Sequence, residues 1–283
     1  MYLHHLSTAE DFGKLGFLAF TRTEIGEIVK FHYFEYNENP ESTTPIERVR
    51  RLNIIPPIIR YINRLDFIGS YNGLTCIVVH SSVYSCNPVT GEYIVLPEIK
   101  IDYRVVQCWT TGFGYVAATN EYKVIRVLML RKKSVEVHMY TLGSGNGWRN
   151  LENINFKFEF LPLYLGQGIF ANGNVYWLDM DLDRIITFDL AEEKFCGDLF
   201  PPPCPPESEY ARIGVMDGFL FVAVNPADGG ARCYDIWLLK KKNDNHDMNE
   251  GDEHQSLLWC REFRVDDCKL VAITKSGGVL TSI

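Results

Sequence analysis

"CNPVTGEYIVLP", residues 86–97, is a strand end, a turn and a second strand in close succession. An apolar run closes at Cys86. Asn87, Pro88, Thr90 and Gly91 then supply turn chemistry, and a new run opens at Tyr93 and stops at Pro97. Asn bonds its own nearby backbone, Pro presets φ and Gly accepts positive φ, so the stretch reads as a hairpin. The same order returns at "FDLAEEKFCGDLFPP" (188–202), and similar letters stand at "YVAATNEYKVIRV" (115–127). A hairpin that returns at intervals is the mark of a repeat architecture.

Outward from this stretch the chain reads as short β runs. "LGFLAF", "IVKFHYFEY", "LTCIVV", "YKVIRVLML", "VEVHMY", "NVYWL", "RIITFDL", "FLFVAV", "YDIWLL" and "LVAIT" are separated by Gly, Asn, Asp and Pro signals. The one stretch with some helical spacing, 44–65, is interrupted by Pro56 and Pro57. Asn72-Gly73, Asn172-Gly173, Asp217-Gly218 and Gly277-Gly278 are each flanked by apolar runs, the strongest short hairpin signal. Each unit is then a four-stranded meander, a–b–c–d, with Asn/Asp-Gly at the a–b turn and the "NPVTGEY" type at the c–d turn. Such units, repeated roughly four to eight times, are the blades of a β-propeller. They fall at about 15–55 (the weakest pattern), 65–99, 110–152, 166–203 and 211–265, and a partial unit at 268–283 stops after two strands. The expectation is one all-β domain over 1–283 with five or six blades, the last of them incomplete. "YVAATNEYKV" takes the a–b slot of its unit, and "LGSGNGW" (142–148) takes the c–d slot.

Composition narrows the function. The chain has 283 residues, 46% hydrophobic and 13% aromatic, with net charge −8. An acidic chain lacks the basic field that a phosphate backbone or an anionic membrane surface requires. Residues 1–15 lack the charged-then-apolar order of a signal peptide, and no apolar run approaches the ~20 residues that span a bilayer. The eight cysteines are scattered without a CxxC pair, so neither a disulfide framework nor a structural zinc site is expected. No Asn-x-Ser/Thr sequon occurs. The expected setting is cytoplasmic, nuclear or both.

The ordered series "GSYNGLTCI" (69–77), "CNPVTGEYIVLP" (86–97), "GFGYVAATNEYKVIRV" (112–127), "VEVHMYTLGSGNGWRNL" (135–151), "GIFANGNVYWL" (168–178) and "IITFDLAEEKF" (185–195) resembles a plant family. It is similar to the F-box-associated interaction domain of plant F-box proteins, a kelch-like propeller, over about residues 65–265. The resemblance implies a protein–protein interaction domain that captures the substrate of a cullin–RING (SCF-type) ubiquitin ligase. In that family an N-terminal F-box docks on a Skp-type adaptor and cullin. Those partners are expected here only if an F-box lies upstream, because no F-box with its Leu-Pro start is readable in this sequence. Two alternatives stand beside this one. One is a truncated or non-docking relative that only binds protein, and the other is a carbohydrate-binding or hydrolytic propeller.

No nucleophile elbow, metalloprotease, Walker or Rossmann motif is present, so no enzyme and no cofactor is expected. "GSGNG" (143–147) has phosphate-loop letters but no helix follows, and it reads as a turn. "DMDLD" sets Asp179, Asp181 and Asp183 at alternate positions, which suits a polar loop better than a calcium site. The seven histidines form no ligand pattern. "KKKNDNHDMNEGDEHQ" (240–255) is a charged insertion that buries little. "PPPCPPESEY" (201–210) is a stiff connector that in polyproline form could meet an aromatic groove. In kelch-type order the d–a and b–c connections share one face. That face is the expected binding surface for a substrate protein, with Tyr103, Arg104, Trp109, Tyr164, Asp179, Asp181, Asp183 and Tyr210 as its candidate contacts. Trp109 is read there as an exposed connector aromatic.

Overall fold

The computed structural model describes residues 2–6, 14–21, 30–37, 46–52, 65–131, 134–151, 166–179, 184–197, 199–205, 208–216, 218–226, 233–241, 257–266, 269–273 and 279–282. Every regular element among them is a β-strand. The chain divides into two compact units, residues 1–177 with 187–197, and residues 178–186 with 198–283.

β1 (Tyr2–Leu6), β2 (Lys14–Thr21), β3 (Lys30–Asn37) and β4 (Ile46–Leu52) pair antiparallel in chain order. β5 (Leu65–Tyr71), β6 (Leu74–Val79), β7 (Ser82–Cys86) and β8 (Tyr93–Val95) repeat that order. So do β9 (Val106–Val116), β10 (Glu121–Leu130), β11 (Val135–Thr141) and β12 (Arg149–Asn150). β13 (Ile169–Ala171), β14 (Asn174–Asp179), β15 (Arg184–Asp189) and β16 (Lys194–Phe195) form the next sheet. In the second unit β17 (Glu209–Met216), β18 (Phe219–Asn225), β19 (Cys233–Lys241) and β20 (Leu257–Asp266) form another. A two-stranded ribbon of β21 (Lys269–Ile273) and β22 (Val279–Ser282) follows. Each four-stranded sheet is a meander, as the hairpin spacing predicts. β1 extends the first sheet ahead of the unit expected at about 15–55. It pairs with β2 from Tyr2↔Phe20 to Leu6↔Gly16, and the adjacent His4 and His5 hide its alternation in the sequence.

The opening hairpin and its counterpart match residue for residue. Asn87 Oδ1 accepts from the Val89 and Thr90 amides at 2.9 and 3.2 Å. Asp189 Oδ1 accepts from the Ala191 and Glu192 amides, both at 2.8 Å. Cys86 pairs with Tyr93, and Phe188 with Phe195. The left-handed position is Gly91 in one turn (φ 77°) and Glu193 in the other (φ 52°). Glu193 therefore occupies a conformation that costs a non-glycine residue about 1–2 kcal/mol. The a–b turns Asn72-Gly73 and Asn172-Gly173 have both residues at positive φ, the type I′ geometry that suits strand twist. Asp217 and the Gly277-Gly278 turn lie outside the described residues.

Packing between sheets in the first unit centres on β9. Successive side chains on a strand point to opposite faces, so Thr110, Gly112 and Gly114 face one way and Thr111 and Phe113 the other. Phe113 is buried with Ile68, Cys76, Val78, Val83, Leu96 and Val124. On the glycine face a Cβ on Gly112 would stand 2.5 Å from Val175 Cγ1 and 3.2 Å from Trp177 Cζ2, and one on Gly114 would strike Phe170 and Leu190. Both glycines exist for that close approach. Trp177, fully buried, donates from Nε1 to Thr110 Oγ1 at 2.9 Å, and Thr110 Oγ1 donates to the Gly166 carbonyl at 2.7 Å.

A charged clip joins the same two sheets. Lys123, on β10 and almost wholly buried, donates from Nζ to the Leu190 carbonyl at 3.1 Å and to Glu193 Oε1 at 2.9 Å. Arg149 Nη2 donates to both Glu193 oxygens at 2.8 and 3.0 Å. Burial alone would raise the Glu193 carboxyl. The hydrogen bonds and charges of Lys123 and Arg149 outweigh it and hold the group below the usual carboxylate range. The side-chain interaction accounts for a Glu in a slot where the matching turn has Gly.

Gly114→Ala should lower the unfolding free energy by about 1–3 kcal/mol in a urea melt. Gly166→Ala, where a Cβ meets nothing within 4 Å, should leave it unchanged or slightly higher. Equal loss in both would refute the packing role of Gly114.

The lowered Glu193 pKa also fixes a pH dependence. A depressed carboxylate contributes stability above its unfolded pKa, and that contribution is lost as pH falls through the folded value. Acid titration of stability should therefore show wild type falling more steeply than Glu193→Gln below the ordinary Glu range. Parallel curves would count against the clip.

Candidate partner-binding site

Among the described residues, the connection from β8 to β9 is an extensively bonded loop at the expected binding end of the first unit. Its inner side is apolar. Ile99 and Val106 are buried with Leu128, and Ile101, Trp109, Leu130 and Trp148 pack against them. Backbone bonds close it: Ile101 N to Ile99 O at 2.9 Å, Val105 N to Asp102 O at 3.0 Å and Val106 N to Tyr103 O at 3.2 Å. Arg131 N donates to Val105 O at 2.9 Å and Trp148 Nε1 to Pro97 O at 2.6 Å, tying the loop to its own sheet.

Asp102 sets the tip. Its Oδ1 accepts from the Arg104 amide at 3.1 Å and from Arg104 Nε at 2.9 Å, and its Oδ2 accepts from Arg104 Nη2 at 3.0 Å. These bonds from the Arg104 side chain hold the Asp102 carboxyl below the usual range. The loop thus presents Tyr103 and Val105, 37% and 42% exposed, beside an Arg104 side chain that is 90% exposed. A rigid backbone displaying an aromatic ring and a planar guanidinium suits protein recognition. Tyr and Arg are enriched among residues that dominate interfaces, and a pre-ordered loop loses little entropy on binding.

The other expected contacts fall differently. Trp109 is not a connector residue. It lies within β9 and is half-buried against the Ile99–Val106–Leu128 cluster that anchors the loop. In the second unit, Asp179 ends β14 fully buried, with Arg184 Nε 3.4 Å from its Oδ2. It is therefore not a solvated loop carboxylate, because a buried charge requires a partner. Tyr210 lies in β17, half-buried, and its hydroxyl donates to the Pro202 carbonyl at 3.0 Å. Trp259 Nε1 donates to the Phe200 carbonyl at 2.9 Å, so the Pro-rich connector is held from two sides. Tyr164, Asp181 and Asp183 lie outside the described residues, as does the 242–255 part of the charged insertion. The sequence reading missed Asp102 and Val105. An Asp two residues before an Arg in a short loop was the available signal.

Among the described residues no group of three or more His, Cys, Asp or Glu could hold a metal ion. Burial raises the Cys76 thiol strongly and pushes Cys86 up to about 12, so both remain protonated and behave as small hydrophobes. No helix among the described residues is long and apolar enough to cross a membrane.

Antiparallel four-stranded meanders, with no regular element other than strands among the described residues, have the form of propeller blades. A sequence profile of the F-box associated beta propeller domain matches residues 18–209, more than half of the chain, and the chain belongs to that family. It is 26% identical over 206 residues to F-box protein At3g07870 of Arabidopsis thaliana, covering 62% of this chain and 47% of that protein. It is 27% identical over 207 residues to F-box protein CPR1 of the same plant, covering 63% and 49%. With F-box protein At3g49450, also of Arabidopsis thaliana, it shares 28% identity over 168 residues, covering 56% and 40%. The chain thus spans about half the length of these relatives or less.

Proposed function

We propose that this chain is the substrate-capturing part of an SCF-type ubiquitin ligase receptor, and that it works by proximity. It holds a protein while a separate enzyme transfers ubiquitin. Membership of the F-box associated family supports the general role. The observation that carries the local assignment is the loop at 97–105, where Asp102 bonds Arg104, the Tyr103 carbonyl bonds the Val106 amide, and Ile99 and Ile101 anchor the loop in an apolar cluster. No proton donor, nucleophile or metal is asked of the chain itself. Docking on a Skp-type adaptor and cullin enters this reading only if an F-box lies upstream.

The expected result follows from hot-spot energetics. Tyr103→Ala and Arg104→Ala should each weaken capture of the bound protein by about 2 kcal/mol, or roughly thirtyfold in Kd. Asp102→Ala, which removes the fork holding Arg104, should weaken it by a smaller factor. Surface plasmon resonance on immobilised chain measures all three. Unchanged Kd in Tyr103→Ala and Arg104→Ala, with folding intact by circular dichroism, would place the contact elsewhere. Reconstitution of the full-length protein with adaptor, cullin and ubiquitin-transfer enzymes tests the ligase role. A captured protein that gains no ubiquitin leaves the chain as a binding protein only.

A further inference from the structure

Opposite Tyr103, at the turn end of the β9–β12 sheet, lies a cleft of about 230 Å³. Lys123, Ser144, Asn146, Gly147, Arg149 and Glu193 supply its working surface. It is built from the "GSGNG" stretch and from the Glu193 clip. We propose that this cleft is an oxyanion subsite, which takes a side-chain carboxylate or a phosphoryl group of a bound protein.

Two independent observations carry the assignment. The first is the loop backbone. Gly143, Gly145 and Gly147 have φ of 78°, 74° and 73°, and they alternate with Ser144 and Asn146, which keep negative φ. Alternation of hand is the local geometry from which anion-binding nests are built, and Gly147 lines the cleft. Nothing lies within 4 Å of where a Cβ would stand on any of the three glycines, so the backbone is open to approach. The Ser144 amide bonds the Thr141 carbonyl and the Asn146 amide bonds Ser144 Oγ, both at 3.3 Å. The amides of Gly145 and Gly147 are outside these bonds.

The second observation is how the charges are spent. Glu193 absorbs Lys123 Nζ through one oxygen and Arg149 Nη2 through both. Arg149 reaches Glu193 through Nη2 alone, so its Nε and Nη1 edge is not used in that contact. The Arg149 side chain is 48% exposed. The other carboxylate on the lining, Glu121, is itself engaged: its Oε2 accepts from Thr119 Oγ1 at 2.8 Å and lies 3.9 Å from Lys123 Nζ. Glu193 is thus a positioning residue that fixes Arg149. Beside its two engaged carboxylates, the cleft offers a visitor a guanidinium edge and the loop around Gly147, and these suit an oxyanion.

The inference rests on the protein-recognition reading for its biological source of oxyanion, but its test does not need a partner. Amide NMR spectra of the ¹⁵N-labelled chain would be recorded with O-phosphoserine, with N-acetylglutamate and with sodium chloride at matched ionic strength. The Gly147 signal should move saturably with one or both organic anions, and the tighter of the two identifies phosphoryl or carboxylate as the source. Arg149→Gln should weaken the effect about tenfold, whereas the exposed Lys100→Gln should not change it. Signals that move linearly and equally with chloride would mean an adventitious ion only and would overturn the proposal. So would saturation that survives unchanged in Arg149→Gln, checked for an otherwise native spectrum.

Discussion

The packing of β9 between two neighbouring sheets is the constraint on which the first unit depends. One face of this strand buries Phe113 against the β5–β8 sheet. Its other face gives up side chains at Gly112 and Gly114 so that Val175, Trp177, Phe170 and Leu190 can close in. The alternation glycine–phenylalanine–glycine makes sense only because a strand shows opposite faces at successive residues. Thr110, on the glycine face, gives Trp177 the hydrogen-bond partner that a buried indole requires. The polar bridge and the close contact thus fix the same strand at two heights.

From that packing the ends of β9 acquire their roles. Its first residues sit over the Ile99–Val106–Leu128 cluster, which carries the 97–105 loop. Its far end leads to the turns around Lys123, Arg149 and Glu193. The strand holds two chemically different surfaces apart, an aromatic and basic tip at one end and a cleft lined by Lys123, Arg149, Glu121 and Glu193 at the other. A scaffold of this kind can keep its blades while its connections vary, which is how one fold serves many recognition tasks.

Much of the fold was legible because turn chemistry is local. Asn87 and Asp189 announce the same turn through an oxygen that bonds two nearby amides, and Asn72-Gly73 and Asn172-Gly173 announce theirs through positive φ. What was not legible depended on partners far along the chain. Trp109 reads as a connector because Gln107, Thr110 and Thr111 blur the alternation of β9, yet pairing with β10 keeps it in the strand. Asp179 reads as a solvated loop acid, but the hairpin brings Arg184 against it and both are buried. Glu193 looks like any charged turn residue. Only the register of the neighbouring sheet reveals that Lys123 and Arg149 converge on it.

Site-specific photo-crosslinking tests the central claim, protein capture by the 97–105 loop, most directly. A benzophenone side chain would replace Tyr103 in one preparation. In another it would replace Ile94, which is 49% exposed on β8 of the neighbouring sheet. The account predicts a discrete protein adduct from position 103 that is suppressed by excess unlabelled chain, and none from position 94. Adducts of equal yield from both positions, or a silent position 103 beside a reactive position 94, would contradict it.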